Sequence, residues 1–203
     1  MNETGNLRER KKAESRLKIM KAAAWSFKNC GFSETSIADI MKEAGLGVGT
    51  FYNYFNSKED LLLALLKTLA DKVEAEVEAG REQNLPALEL LNHACNVMAE
   101  LLDDNRYVLP LFLSASEHCD RPEMIPTRNS PPTFKPIFEE IITHGQEAGE
   151  IRKDVPADLI AEMFHSLYQA ASFSRLNIPF RENIRLKTQL IIDGIRTQLW
   201  RLK

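Results

Sequence analysis

The sequence predicts an all-α chain. Strand-type alternation of apolar and polar residues is absent, and the β-branched residues are scattered. Apolar residues recur instead at three- and four-residue spacings between glycines, prolines and Ser/Thr caps. With 203 residues, 44% of them hydrophobic and 27% charged, the chain has the length for one large domain or two small ones.

The first helix is expected from about Glu14 to Asn29, with Ile19, Met20, Ala23, Phe27 and Cys30 on one face and Trp25 on the other. Trp25 then either sits exposed or packs against another part of the chain. Gly31 stops the helix, because glycine accepts the positive φ of the position after a helix end. In "ETSIADIMKEAG", Thr35 or Ser36 can cap a short helix that buries Ile37, Ile40 and Met41 and ends at Gly45. A second short helix opens within "GLGVGTFYNYFNSKEDL". Ser57 caps the element after that, with Asp60 at its third position, close to a capping box. That helix, from Lys58 to about Gly80, starts strongly apolar and bridges the two halves of the chain. Further helices are expected near 86–103, 105–118, 133–148, 156–176 and 181–202, about nine in all. The irregular stretch "DRPEMIPTRNSPPTFKP" carries five of the nine prolines and reads as a loop. Residues 1–57 form an arm and a small helical domain, and 58–203 a larger one.

Composition narrows the function. No run approaches the ~20 apolar residues of a membrane helix, and the polar, basic start "MNETGNLRERKKAESRL" does not read as a secretory signal. Cys30, Cys95 and Cys119 are too scattered for a disulfide framework, so reduced thiols in a cytoplasmic protein are expected. The net charge is −3, but residues 1–28 hold eight basic side chains against three acidic ones. A basic end on an acidic body can steer that end toward phosphate; a solvated face is the plain alternative. His118-Cys119-Asp120 has no second pair at metal-ligand spacing, so neither metal nor cofactor is expected. No nucleophile, paired-carboxylate or phosphate-loop pattern suggests an enzyme.

Two short helices joined by a glycine-containing turn after a longer helix make a helix-turn-helix. Placed at about 100° per residue from Val48, Phe51 and Phe55 join Val48 in an inward stripe. The opposite side carries Gly49, Thr50 and Asn53, flanked by Tyr52 and Tyr54. Gly49 leaves that face bare, so backbone can approach DNA closely. Thr50 and Asn53 can bond base edges or phosphates, the tyrosine hydroxyls and Lys58 can meet phosphate, and the helix's free N–H groups favour phosphate as well. Glycine inside a helix costs about 0.5–1 kcal/mol. Gly47 escapes that cost as an N-cap; Gly49 does not.

The segment "GFSETSIADIMKEAGLGVGTFYNYFNSKEDLLLAL" resembles the DNA-binding signature of the TetR (TetR/AcrR-type) family of bacterial transcriptional regulators, from about Arg16 to Leu66. "EAGEIRKDVPADLIAEMF" looks like the connection into that family's eighth helix. The resemblance implies a three-helix DNA-binding domain followed by a helical ligand-binding and dimerising domain. It implies that Thr35 and Ser36 contact phosphate, and that Thr50, Tyr52, Asn53, Tyr54 and Lys58 lie on DNA. Gly47 and Val48 stand where the family often has Ser and Lys, so the salt dependence of binding should be about one unit shallower than in a homologue carrying the lysine. The basic arm Arg8–Lys12 either compensates by reaching an adjacent groove or is a solvated tail.

Specific reading of DNA then needs two copies, with recognition helices about 34–36 Å apart on a palindromic operator. The last two helices are the expected homodimer interface. Leu159, Met163, Phe164, Leu167, Ala170, Ala171 and Ser174 lie on one, and Leu190, Ile191, Gly194, Ile195, Leu199 and Trp200 on the other. An effector pocket is expected from polar groups among apolar helices (His93, Cys95, His118, Cys119, His144, His165, Tyr168) together with Phe112, Phe134, Phe138 and Phe173. Phe112, His118, Phe138, His165 and Tyr168 are its candidate lining. The implied mechanism is a repressor released from its operator by a small molecule, with the helix from Lys58 as lever. A cationic aromatic compound, a fatty acid or a flavonoid would each suit this body. The alternative is a DNA-binding protein of the same fold with an architectural or cell-division role and no inducer.

Overall fold

The computed structural model describes residues 3–108 and 134–197. Eight α-helices and one short 3₁₀ turn (Arg106–Val108) make up this region. An isolated bridge pairs Ile151 with Arg196, and the described residues form no strand. The predicted helix near 105–118 falls mostly outside them.

The chain divides into two compact units. One runs through Leu66 and takes in Asn105–Val108; the other holds Lys67–Asp104 and the later helices. In the first unit, α1 spans Glu3–Cys30. It begins far earlier than expected, because no proline interrupts "ETGNLRERKKAES" and most of its residues favour a helix, Gly5 and Asn6 lying near the start. Gly31 at φ +86° ends it. Ser36 caps α2 (Ile37–Glu43) in a reciprocal box with Asp39, each side chain taking the other's backbone N–H at 3.1 Å. The Ser36 hydroxyl and amide hold the Asp39 carboxyl below its usual range. Gly47 starts α3, which is a single turn, Val48–Phe51. α4 spans Lys58–Glu82. Its Ser57 hydroxyl accepts from the Asp60 amide at 3.1 Å, but the Asp60 carboxylate turns to Asn56, so only half a capping box forms.

In the second unit stand α5 (Ala87–Asp104), α6 (Lys135–Glu147), α7 (Ala157–Ser172) and α8 (Phe180–Ile195). α7 and α8 end earlier than expected; after α8 the chain pairs briefly with the α6–α7 connection, Arg152 N donating to Ile195 O and Thr197 N to Glu150 O. Phe138 of α6 stacks on Phe164 of α7 at 5.3 Å between ring centroids. Arg181 ties α8 to the end of α5 through Asp103 and Asp104, both at 2.9 Å. None of the described helices is long and apolar enough to cross a membrane.

Candidate nucleic-acid interface

The first unit is organised around a small core. Ile19, Ala23 and Phe27 of α1, Ile40 and Met41 of α2, Phe51 and Phe55, and Leu61 and Leu62 of α4 are all buried. The i, i+4 spacing of Ile19, Ala23 and Phe27 puts them on one stripe of α1. Cys30, expected on that stripe, is exposed, because it is the helix's last residue and lies past the core.

Phe51 is fully buried and Phe55 nearly so, their rings 5.8 Å apart. They orient the segment between them. Tyr52 is 59% exposed; Asn53 is exposed, and Tyr54 and Thr50 are half-buried. Gly47 and Gly49 are exposed, and a Cβ added at Gly49 would meet nothing within 4 Å. No internal packing therefore requires glycine at position 49. A backbone stripped of side chains on an exposed face fits close approach by another molecule.

Three expected positions need correction. Val48 does not join the inward stripe; it is 48% exposed, because the helix begins with it, ahead of the core. Thr35 is buried, and its hydroxyl donates to Gly31 O at 2.7 Å, so its side chain is not offered to phosphate; Ser36 stays exposed. The Lys58 ammonium donates to Phe32 O at 2.6 Å, Thr35 O at 2.8 Å and Ser33 O at 3.4 Å, and lies 4.4 Å from the Phe32 ring centroid. Lys58 thus positions the α1–α2 turn, with its donors already engaged. The one-turn length of α3 also leaves little dipole to draw an anion.

Sequence reasoning passed over Arg16. Its guanidinium lies 5.2 Å from the Phe55 ring centroid, beside the exposed segment. The signal was available: Arg16 falls on the helical face shared by Ile19, Ala23 and Phe27. Trp25 is exposed.

In the second unit, Phe138 and Tyr168 are buried, as are Cys95 and Phe134. Burial pushes the Cys95 thiol up to about 12 and the Tyr168 phenol well above its ordinary value, so both stay neutral and can only hydrogen-bond. His165 is half-buried, and its proton affinity is lowered by burial and then by Lys135. Phe112, His118 and Cys119 lie outside the described residues. Phe173 does not join this interior but is 66% exposed; His144 is exposed too, and His93 pairs with Glu76 at 3.5 Å.

The expected interface residues separate into two sets. Phe164, Leu167, Ala171 and Ile195 are buried within the protomer and so form its core. Ile191 is half-buried, while Gly194 and Leu190 are exposed. Of the expected residues Leu159, Met163 and Leu190 point outward, joined by Leu186 and, just past the end of α7, Phe173; α7 and α8 pack together, and Lys187 Nζ donates to Ala170 O at 2.9 Å. Leu199 and Trp200 lie outside the described residues. Among the described residues, no group of three or more His, Cys, Asp or Glu is placed to hold a metal ion.

Residues 19–65 match the family model described as bacterial regulatory proteins, tetR family. The chain is 29% identical over 145 residues to the HTH-type transcriptional repressor DhaR of Mycobacterium sp. (strain GP1), covering 70% of this chain and 72% of that one. It is 24% identical over 188 residues to the fatty acid metabolism regulator protein of Bacillus subtilis (strain 168), covering 90% and 96%. A solved structure of Thermus thermophilus FadR, a TetR-family repressor in complex with lauroyl-CoA, aligns with a TM-score of 0.66 at 26% identity, covering 90% and 96%.

Proposed function

The chain belongs to the TetR family of bacterial regulatory proteins, and from that premise we propose a cytoplasmic, homodimeric repressor that leaves a palindromic operator when a small-molecule effector binds. In this reading the protein carries no catalytic site. The observation that carries it is the segment Gly47–Tyr54, exposed and open at Gly49, yet fixed in direction by the buried rings of Phe51 and Phe55.

Gly47, Val48, Gly49, Thr50, Tyr52, Asn53 and Tyr54 form the contact face, with Ser36 at its edge. Phosphate contacts from Tyr54 set position, and Thr50 and Asn53 read base edges; the Ser36 hydroxyl is already given to Asp39. The outward apolar set on α7 and α8 receives the second copy, since a monomer rarely leaves so many large apolar side chains on one helix pair. Effector binding draws on the second unit, whose buried interior around Phe138, Phe164 and Tyr168 is apolar with neutral hydrogen-bonding groups in Tyr168 and Cys95. α4 is one continuous helix whose first residues belong to the DNA-binding unit and whose remainder belongs to the other. An effector acts only through its differential affinity for the two states that helix can adopt.

Support for an acyl-CoA as the first effector to try comes from the lauroyl-CoA complex of the similar FadR and from the likeness to a fatty acid metabolism regulator. Footprinting on DNA flanking the gene should show one protected palindrome, lost on adding lauroyl- or stearoyl-CoA. Protection at many unrelated sites, unmoved by any compound, would favour the architectural role instead.

Gly49→Ala separates stability from binding. Alanine gains about 1 kcal/mol of helix propensity over glycine, and its methyl meets nothing in the protein. Thermal melts should show a variant at least as stable as the parent, while titration shows weaker DNA binding. Unchanged affinity would remove the reason given for the glycine.

A further inference from the structure

We infer that the first half of α1 is a second DNA-contacting element: a cationic row on a rigid helix that grips phosphates beside the base-reading segment. The inference rests on the DNA-binding reading above. α1 starts at Glu3, yet no side chain from Leu7 to Glu14 is covered by the protein. The core begins only at Ile19. The eight residues Leu7–Glu14 thus project as free helix, on the order of 12 Å at 1.5 Å per residue. A free helix that short is marginal alone; this one propagates from a packed half.

The direction of the row follows from helical periodicity. Ile19, Ala23 and Phe27 face the core. Stepping back along the same face, by three from Ile19 and then by fours, gives Arg16, Lys12 and Arg8. Where the core runs out, its stripe continues as cations. Arg16 marks the change: it lies against Phe55, which ends the segment carrying Tyr52, Asn53 and Tyr54. The row therefore leaves the unit at the rim of the contact face.

Charge favours the same partner. Lys11 and Arg10 add to the row, and of the two carboxylates nearby Glu14 is held by Lys18 at 3.0 Å. Neither Arg8 nor Lys12 has an ion-pair partner among the described residues. Arg8 and Lys12 on a fixed scaffold, with Arg10 and Lys11 beside them, pay little ordering entropy on meeting a polyanion, unlike a coil tail. Phosphate contacts of this kind raise affinity for every sequence and carry no base preference. They also offset the missing lysine at position 48.

The test is the salt dependence of binding to random-sequence duplex DNA, for the full-length parent and for Arg8→Ala/Lys12→Ala. Both positions are exposed and alanine is the best helix former, so circular dichroism should show undiminished helicity. Each lost phosphate contact lowers the slope of log K against log salt by about 0.9. The double variant should therefore lose between one and two units of slope, and Arg8→Lys/Lys12→Arg should restore them. A parent that binds with a slope the double variant leaves unchanged overturns the row and spares the DNA-binding reading. A parent that binds no duplex at low salt overturns both.

Discussion

Leu190→Asp should convert the protein from a dimer to a monomer and lower operator affinity by about 10²- to 10⁴-fold. Leu190 is the most exposed large apolar side chain among the described residues, at 73%. A protomer alone gains nothing from it there. Between two copies it would be buried in the shared seam, because a two-fold axis brings the same patch of each chain together. A carboxylate at that place is left unpaired in a desolvated seam, once on each copy, which is far costlier than the loss of one leucine. The effect on DNA follows from linkage: a dimer's second half-site binds at high effective concentration, and that advantage is worth about 10²–10⁴. The substitution leaves the protomer core untouched, so helicity should be retained. Sedimentation equilibrium reads the mass and titration the affinity. A dimeric Leu190→Asp protein with the parent's affinity would place the second copy on another face.

The fold class and the helix-turn-helix were legible because they rest on local signals. Gly31 and Gly45, both at positive φ, punctuate the chain where the sequence says they should. Phe51 and Phe55, four apart, could only be core partners. What was not legible depended on distance along the chain or on where a helix begins. Lys58 reads as a free cation from its neighbours, but its acceptors lie 23 to 26 residues earlier. Thr35 reads as a surface hydroxyl, yet a carbonyl four residues back captures it. The helical wheel put Val48 inside because it assumed one regular helix through Phe55, whereas the regular turn ends at Phe51. On α7 and α8 the difficulty was different. These helices are apolar on two faces, and periodicity alone cannot say which face a protomer keeps. Phe164 and Leu167 turned in; Met163 and Phe173 turned out. The one-residue offset between Met163 and Phe164 is decided by packing against α6, where Phe138 stacks on Phe164, and no local pattern encodes that.

Phe51→Ala and Tyr52→Ala are neighbours with opposite expected outcomes. Phe51 is fully buried and touches both adjoining aromatics, Phe55 at 5.8 Å and Tyr52 at 5.4 Å between centroids. Removing a buried phenyl ring costs about 3–5 kcal/mol. The first unit is small, and a domain's whole stability is only about 5–15 kcal/mol. Phe51→Ala should therefore melt that unit at a temperature where the parent is folded. α5, α6, α7 and α8 have their own core around Leu91, Met98, Phe138 and Phe164 and should stay helical. The melt becomes biphasic, and DNA binding is lost with the first phase. Tyr52 is mostly exposed, so Tyr52→Ala should change stability by no more than about 0.5 kcal/mol while weakening DNA binding by removing a contact. The pair tests orientation directly, because turning the segment by about 100°, one residue's rotation, would exchange the two results. A stable Phe51→Ala protein beside an unfolded Tyr52→Ala protein would mean that the face assigned to DNA is the one the protein keeps for itself.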